Sequence, residues 1–248
     1  MTNRNWLLAV FGIFTLSAPA SASDHLIPEA SVFTQNYHAP TYSLYAKRLS
    51  RMSGINVFGN VFVAPAFENA FTVHFEEEED EYTLVCMELE IGLYAYQLLA
   101  EMRAGTVKYE TKEETLQQID ELEQNLPADV MDVEAKVIEV PLPSELGTEL
   151  TRTWGQMLYQ TRYPETDLAE EGYASFTPGE DGTYHHFSFF HGSMPLSGWI
   201  WDYPPNGRVA KLVEIVRVAK STCNNDEARD LSALESSVAK LSQELSND

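Results

Sequence analysis

Positive charge is what this chain has least of. Sixteen lysines and arginines stand against 38 aspartates and glutamates, a formal net charge of −22 over 248 residues. Such a surface repels phosphate backbones, so nucleic acid is not an expected partner, and it disfavours docking on anionic headgroups. A cation or a basic protein is the better electrostatic match, and acidity also serves solubility. Asn-x-Ser/Thr sites are absent, which excludes N-glycosylation. Low-complexity tracts and internal repeats are absent too, so a packed globular chain is expected rather than disorder.

The familiar catalytic signatures are also missing. There is no H-E-x-x-H, C-x-x-C, P-loop or G-x-G-x-x-G sequence. Gly192-Ser193-Met194-Pro195 does not meet the G-x-S-x-G pattern of a nucleophile elbow. The acidic run Glu76–Glu81 lacks the glycine and the alternating spacing of a calcium loop and reads as a solvated tip. No cofactor and no metal are therefore expected, and the balance leans against an enzyme. A serine–histidine pair assembled from distant positions stays open, because such sites are defined by geometry and not by order.

Cysteine occurs twice, at Cys86 and Cys223. In an oxidising compartment the two permit one intramolecular disulfide, worth roughly 4–5 kcal/mol for so long a loop in the chain-entropy picture. The compartment itself is read from the first residues. Arg4 precedes an apolar run from Trp6 to Leu16, and Pro19 is followed by the small residues Ala20 and Ala22. This is the form of a cleavable export signal, and the run is too short for the roughly 20 residues a spanning helix needs. Cleavage is expected between Ala22 and Ser23, giving residues 1–22 as signal peptide and 23–248 as a single domain with no stable membrane anchor. The periplasm is the first expected address and the extracellular medium the second.

The remaining pattern predicts an α+β fold, a single domain of mainly antiparallel strands with several amphipathic helices. Residues 24–43 read as irregular or extended, and Ala46, Leu49 and Met52 have helical spacing in a basic segment. Val57, Val61 and Val63 lead into Pro65. Phe71, Val73 and Phe75 alternate with Thr72, His74 and Glu76, and Tyr82, Leu84 and Cys86 alternate again, which predicts a hairpin with a charged tip. Helices are expected from Ile91 to Met102 and after Thr111, where Thr111 and Glu114 form a capping box and Pro127 stops the run. A strand around Val133–Glu139 precedes a helix capped by Ser144, with Leu146, Leu150, Trp154, Met157 and Leu158 on one face. Residues 164–182 read as a loop, Tyr184–His191 as an aromatic strand and Gly198–Tyr203 as its partner. Asn206 is placed to cap a helix, and Leu231, Leu234, Val238, Leu241 and Leu245 mark a last helix that is expected to pack on the protein's own core.

Two groups of residues are candidate sites. His185, His186 and His191 would be the centre of a hydrolase or metal-dependent enzyme. Strand geometry weighs against it, since His185 and His186 point to opposite faces and His185 and His191 lie about 20 Å apart. Trp199, Trp201 and Tyr203 alternate on one strand face and, if exposed, would bind a small molecule or carbohydrate. The leading expectation is a non-catalytic periplasmic or secreted protein-binding factor, inhibitor- or immunity-like, with a basic protein as partner.

Overall fold

A computed structural model describes residues 26–28, 57–65, 68–108, 111–161, 182–191, 194–201, 206–225 and 230–247. The expected signal peptide, the basic segment near Ala46, the loop at 164–181 and Tyr203 lie outside the described residues.

The strands are β1 (Ile27–Pro28), β2 (Val57–Pro65), β3 (Phe71–Glu78), β4 (Glu81–Leu89), β5 (Ala135–Leu142), β6 (Thr183–His191) and β7 (Met194–Trp201). The helices are α1 (Leu93–Ala104), α2 (Lys112–Asn125), α3 (Ser144–Tyr159), α4 (Arg208–Asn224) and α5 (Ser232–Leu245). Strands β2 to β7 form one antiparallel sheet in the order β7-β6-β2-β3-β4-β5, and the two-residue β1 extends the β7 edge. This is the α+β fold the pattern predicts, with mainly local hairpins and one long return.

The β3–β4 hairpin forms where the charge run predicts it. Glu79 and Asp80 take φ of 50° and 69°, so two consecutive left-handed residues make a tight two-residue turn whose twist suits the strands. Strands β2 to β5 follow one another as a meander. The chain then returns through α3 to place β6 against the far side of β2, which makes β5 and β6 parallel to each other although every hydrogen-bonded pair is antiparallel.

Side-chain alternation gives the sheet two faces. One carries Val61, Val63, Phe71, Val73, Phe75, Leu84, Val140, Phe187 and Phe189, and α3, α4 and α5 cover it. Trp154 of α3 sits at the centre, with ring centroids 5.2 Å from Phe75 and 5.5 Å from Phe187, and its indole N–H donates to the Ser188 carbonyl at 3.0 Å. Gly147 and Gly155 let α3 lie close, because a side chain at Gly147 would meet the Tyr82 ring and one at Gly155 the Phe189 ring. The terminal helix packs as expected: Leu234, Val238, Leu241 and Leu245 belong to this core. Cys86 on β4 and Cys223 on α4 are at disulfide distance, with S–S 2.08 Å, and join the sheet to the helix layer. The other face carries a second cluster that includes Phe62, Ala64, Val85, Met87, Leu89 and Tyr184.

Helix α2 has the reciprocal cap foreseen for it. Glu114 N–H donates to Thr111 Oγ1 at 3.1 Å and Thr111 N–H to the Glu114 carboxylate at 3.0 Å. Helix α1 ends on Gly105 at φ 74°, where Gly105 N–H reaches the Met102 carbonyl and Thr106 N–H the Glu101 carbonyl, a left-handed cap that only glycine takes without strain. Two expected caps differ. Pro143, not Ser144, holds the N-cap of α3, and the Ser144 hydroxyl turns back to the Asp80 carbonyl at 3.4 Å. Gly207, not Asn206, holds the N-cap of α4 at φ 96°, a backbone conformation that asparagine adopts less readily.

Candidate functional site

The two described candidate histidines of β6 go where alternation sends them. His185 lies with the helix-facing residues, opposite Val63 and Ile200, and stacks on Phe187 with centroids 6.2 Å apart. Burial pushes its pKa down to about 4, against the backbone hydrogen bond at Thr183, so it is a neutral core histidine at physiological pH. His186 faces the opposite side, opposite Phe62 and Trp199, and stacks on Tyr184. The backbone of His191 ends β6; its side chain is outside the description. The two described histidines therefore do not share a site, and no cluster of three potential metal ligands occurs among the described residues.

Trp199 does lie on a sheet face, but half-buried, with its ring 6.0 Å from Tyr184 and packed on the second core cluster. It is opposite Ile27 of β1 on one side and His186 on the other. Trp201 is opposite Tyr184 in the backbone register. Tyr203 lies beyond the described strand.

The sheet's second face holds a polar row that the sequence reading missed. Reading across the strands, Ser197, Ser188, Asn60, His74, Val85 and Glu139 are successive register partners on β7, β6, β2, β3, β4 and β5. Thr72 and Glu76 flank His74 on the same face of β3. His74 is only 1% exposed, as is Thr72. The His74 Nε2 lies 3.1 Å from Glu76 Oε1. A carboxylate oxygen accepts, so Nε2 carries the proton and Nδ1 presents a lone pair. Burial lowers the pKa of His74, while the carboxylates of Glu76 and Glu139 oppose that shift, and the ring is held neutral. The Asn60 Oδ1, Thr72 Oγ1 and His74 Nδ1 are buried and find no hydrogen-bond partner among the described residues. The only sign of this row in the sequence was that polar Thr72 and His74 alternate with the aromatic positions of β3. Asn60 and Ser188 come from strands that only the fold brings beside it.

A second feature is the outer surface of the α1–α2 pair. Helix α2 packs against α1 and has no buried residue. It presents Glu113, Glu114, Asp120, Glu121 and Glu123 against the single Lys112. Glu123 accepts from Arg103 of α1, whose guanidinium nitrogens lie 3.0 and 2.6 Å away. Leu116 is half-exposed amid these carboxylates. The charged hairpin tip at Glu77–Glu81 is likewise exposed.

No helix of the described residues is long and apolar enough to cross a membrane. Comparison with family models, with curated proteins and with solved structures gave no match.

Proposed function

We propose that the chain is an exported, non-catalytic factor that binds a basic protein, with periplasmic residence after cleavage between Ala22 and Ser23. The observation that carries this reading is the character of α2. A helix with no fully buried residue adds little to the core, and five acidic side chains against one lysine make it an electronegative surface held out on α1. Such a surface steers an oppositely charged partner and fixes its orientation, while the exposed Leu116 provides an apolar contact at its centre. The pairing of Cys86 with Cys223 fits an oxidising compartment.

The test is cross-linking of the mature chain in the envelope of its own host, followed by reconstitution with the purified partner. A basic partner is expected. Its affinity should fall steeply as salt rises from about 0.05 M to about 0.5 M, and replacing Glu113, Asp120 and Glu121 together with glutamine should weaken it more than tenfold. An acidic partner, or affinity indifferent to salt and to these substitutions, refutes the reading. A mature N-terminus other than Ser23 refutes the assigned processing separately.

A further inference from the structure

A sheet edge is a row of backbone donors and acceptors without a neighbour, and the two edges of this sheet differ. At one, β7 is extended by β1, where Ile27 and Pro28 lie opposite Trp199 and Gly198. At the other, β5 pairs with β4 on its inner side, and among the described residues no strand lies on its outer side. Two observations tell which backbone groups of β5 point outward. The Glu90 N–H donates to the Glu134 carbonyl at 3.0 Å, so the even-numbered residues of this segment turn towards β4. Pro141 has no N–H and falls among the odd-numbered residues, where the ladder asks for none. The register between them is unbroken from Leu89–Ala135 to Tyr82–Leu142. Ala135, Val137 and Glu139 therefore aim both N–H and C=O away from the sheet, and Pro141 ends the row. The row is open to solvent: Val137 is 43% exposed, and Glu134, Lys136 and Glu139 are exposed as well.

We propose that the free edge of β5 takes an extended, basic segment of a partner protein as an added antiparallel strand. Main-chain bonds to the outward row supply the attraction, and alternate side chains set the register. Antiparallel addition continues the pairing of every strand from β2 to β7. Charge selects the occupant. Glu134 and Glu139 flank the row, Asp132 lies just before it, and the one lysine of β5, Lys136, is the cross-strand partner of Glu88. A second copy would bring the same carboxylates and a net charge of −22 to this edge. A cation opposite a strand carboxylate is favourable and a second carboxylate is not. The fitting strand has basic residues opposite Glu134 and Glu139 and an apolar one opposite Val137. The sign of its charge rests on the basic-partner reading above; the edge is a contact separate from α2.

The probe is the end-capped peptide Lys-Val-Val-Thr-Val-Lys, titrated into the ¹⁵N-labelled, disulfide-intact protein. Its first, third and fifth residues fall opposite Glu139, Val137 and Ala135. Saturable amide shifts centred on these three residues are expected, with slowed exchange of their N–H groups in the complex. N-methylation of the third peptide residue removes a bond to Val137 and should weaken binding about tenfold. N-methylation of the fourth, whose N–H points away from β5, should leave binding unchanged. Val137→Pro should match the first methylation and keep the urea midpoint, because the N–H it removes faces away from the sheet. Should that variant fail to fold, the two methylated peptides still decide. No saturable binding, equal binding of both methylated peptides, or a Val137 N–H already protected in the free monomer overturns the proposal. A dimer in sedimentation that protects the same N–H does so too, by giving the edge to a second copy. Replacing Glu113, Asp120 and Glu121 of α2 together with glutamine should leave peptide affinity unchanged. Loss of binding in that variant would move the peptide to α2, overturning the edge site while sparing the basic-partner reading.

Discussion

The two faces of the sheet are built from the same strands, yet they solve different problems. The helix-covered face is filled by large apolar side chains around Trp154, whose one polar atom is satisfied by the Ser188 carbonyl, and the Cys86–Cys223 pair ties it across two layers. The opposite face alternates apolar clusters with a row of asparagine, threonine and histidine. The first face is optimised for cohesion. Polar atoms without a protein partner occur on both sides, at Asn60, Thr72 and His74 on the second face and at Thr153 and Gln156 of α3 over the first, so the contrast lies in the apolar packing and not in polar satisfaction. Stability should therefore be concentrated on the helix-covered side, where the larger cluster and the cysteine pair lie.

Reduction of the disulfide, or replacement of both cysteines by serine, should have the largest effect on this contrast. Loss of about 4–5 kcal/mol is expected in urea unfolding; a loss under 1 kcal/mol would show that the helix layer holds without the link. Trp154→Ala removes the centre of the same face and should cost about 3–5 kcal/mol, read as a lowered denaturation midpoint with the far-ultraviolet circular dichroism of the native state retained.

The next effect depends on pH. His185 has its pKa lowered from 6.5 to about 4 by burial. The unfolded chain then binds a proton more readily than the folded one between these values. The contribution is complete above pH 6.5 and is lost as pH falls towards 4, about 3 kcal/mol in all. His185→Phe should flatten that slope in urea titrations run across this window; an unchanged slope would assign the acid sensitivity elsewhere. Gly147→Ala pushes a methyl group into the Tyr82 ring and should cost about 1–3 kcal/mol, separating α3 slightly from the sheet. The smallest effect belongs to the outlying helix. Thr111→Ala removes one half of the α2 capping box and should cost about 1 kcal/mol, seen as faster amide exchange in the first turn of α2 with the helix-covered core unaffected.

Much of the fold was legible because its signals are local. The period-two runs around the acidic tip, the Thr111–Glu114 box and the stripe through Leu234, Val238 and Leu241 each lie within a few residues, and each formed as expected. Caps were less legible: Ser144 and Asn206 have suitable side chains, but the neighbouring Pro143 and Gly207 supply the backbone geometry at which each helix begins. The polar row was invisible for a different reason. His74 meets Asn60 across a β2–β3 pair with a bulge between Val57 and Gly59, and Ser188 joins only once β6 has come back to β2. Histidine density drew attention to β6, whereas the buried, carboxylate-bound histidine is a solitary one on β3. Nothing in the count of histidines distinguishes a ring packed among aromatic residues, as His185 is on Phe187, from one paired with a carboxylate, as His74 is with Glu76.

The return of β6 to β2 also dictates the order of events when the chain is made. The meander from β2 to β5 leaves the ribosome first and can pair with itself, but one side of β2 must then wait, its backbone groups bonded only to water, until residues 183–201 arrive. A waiting edge rich in valine and phenylalanine is an invitation to pair with a neighbouring chain. Closure of this sheet is thus a late, long-range event, and the interval before it is when the nascent protein most needs a chaperone at its side.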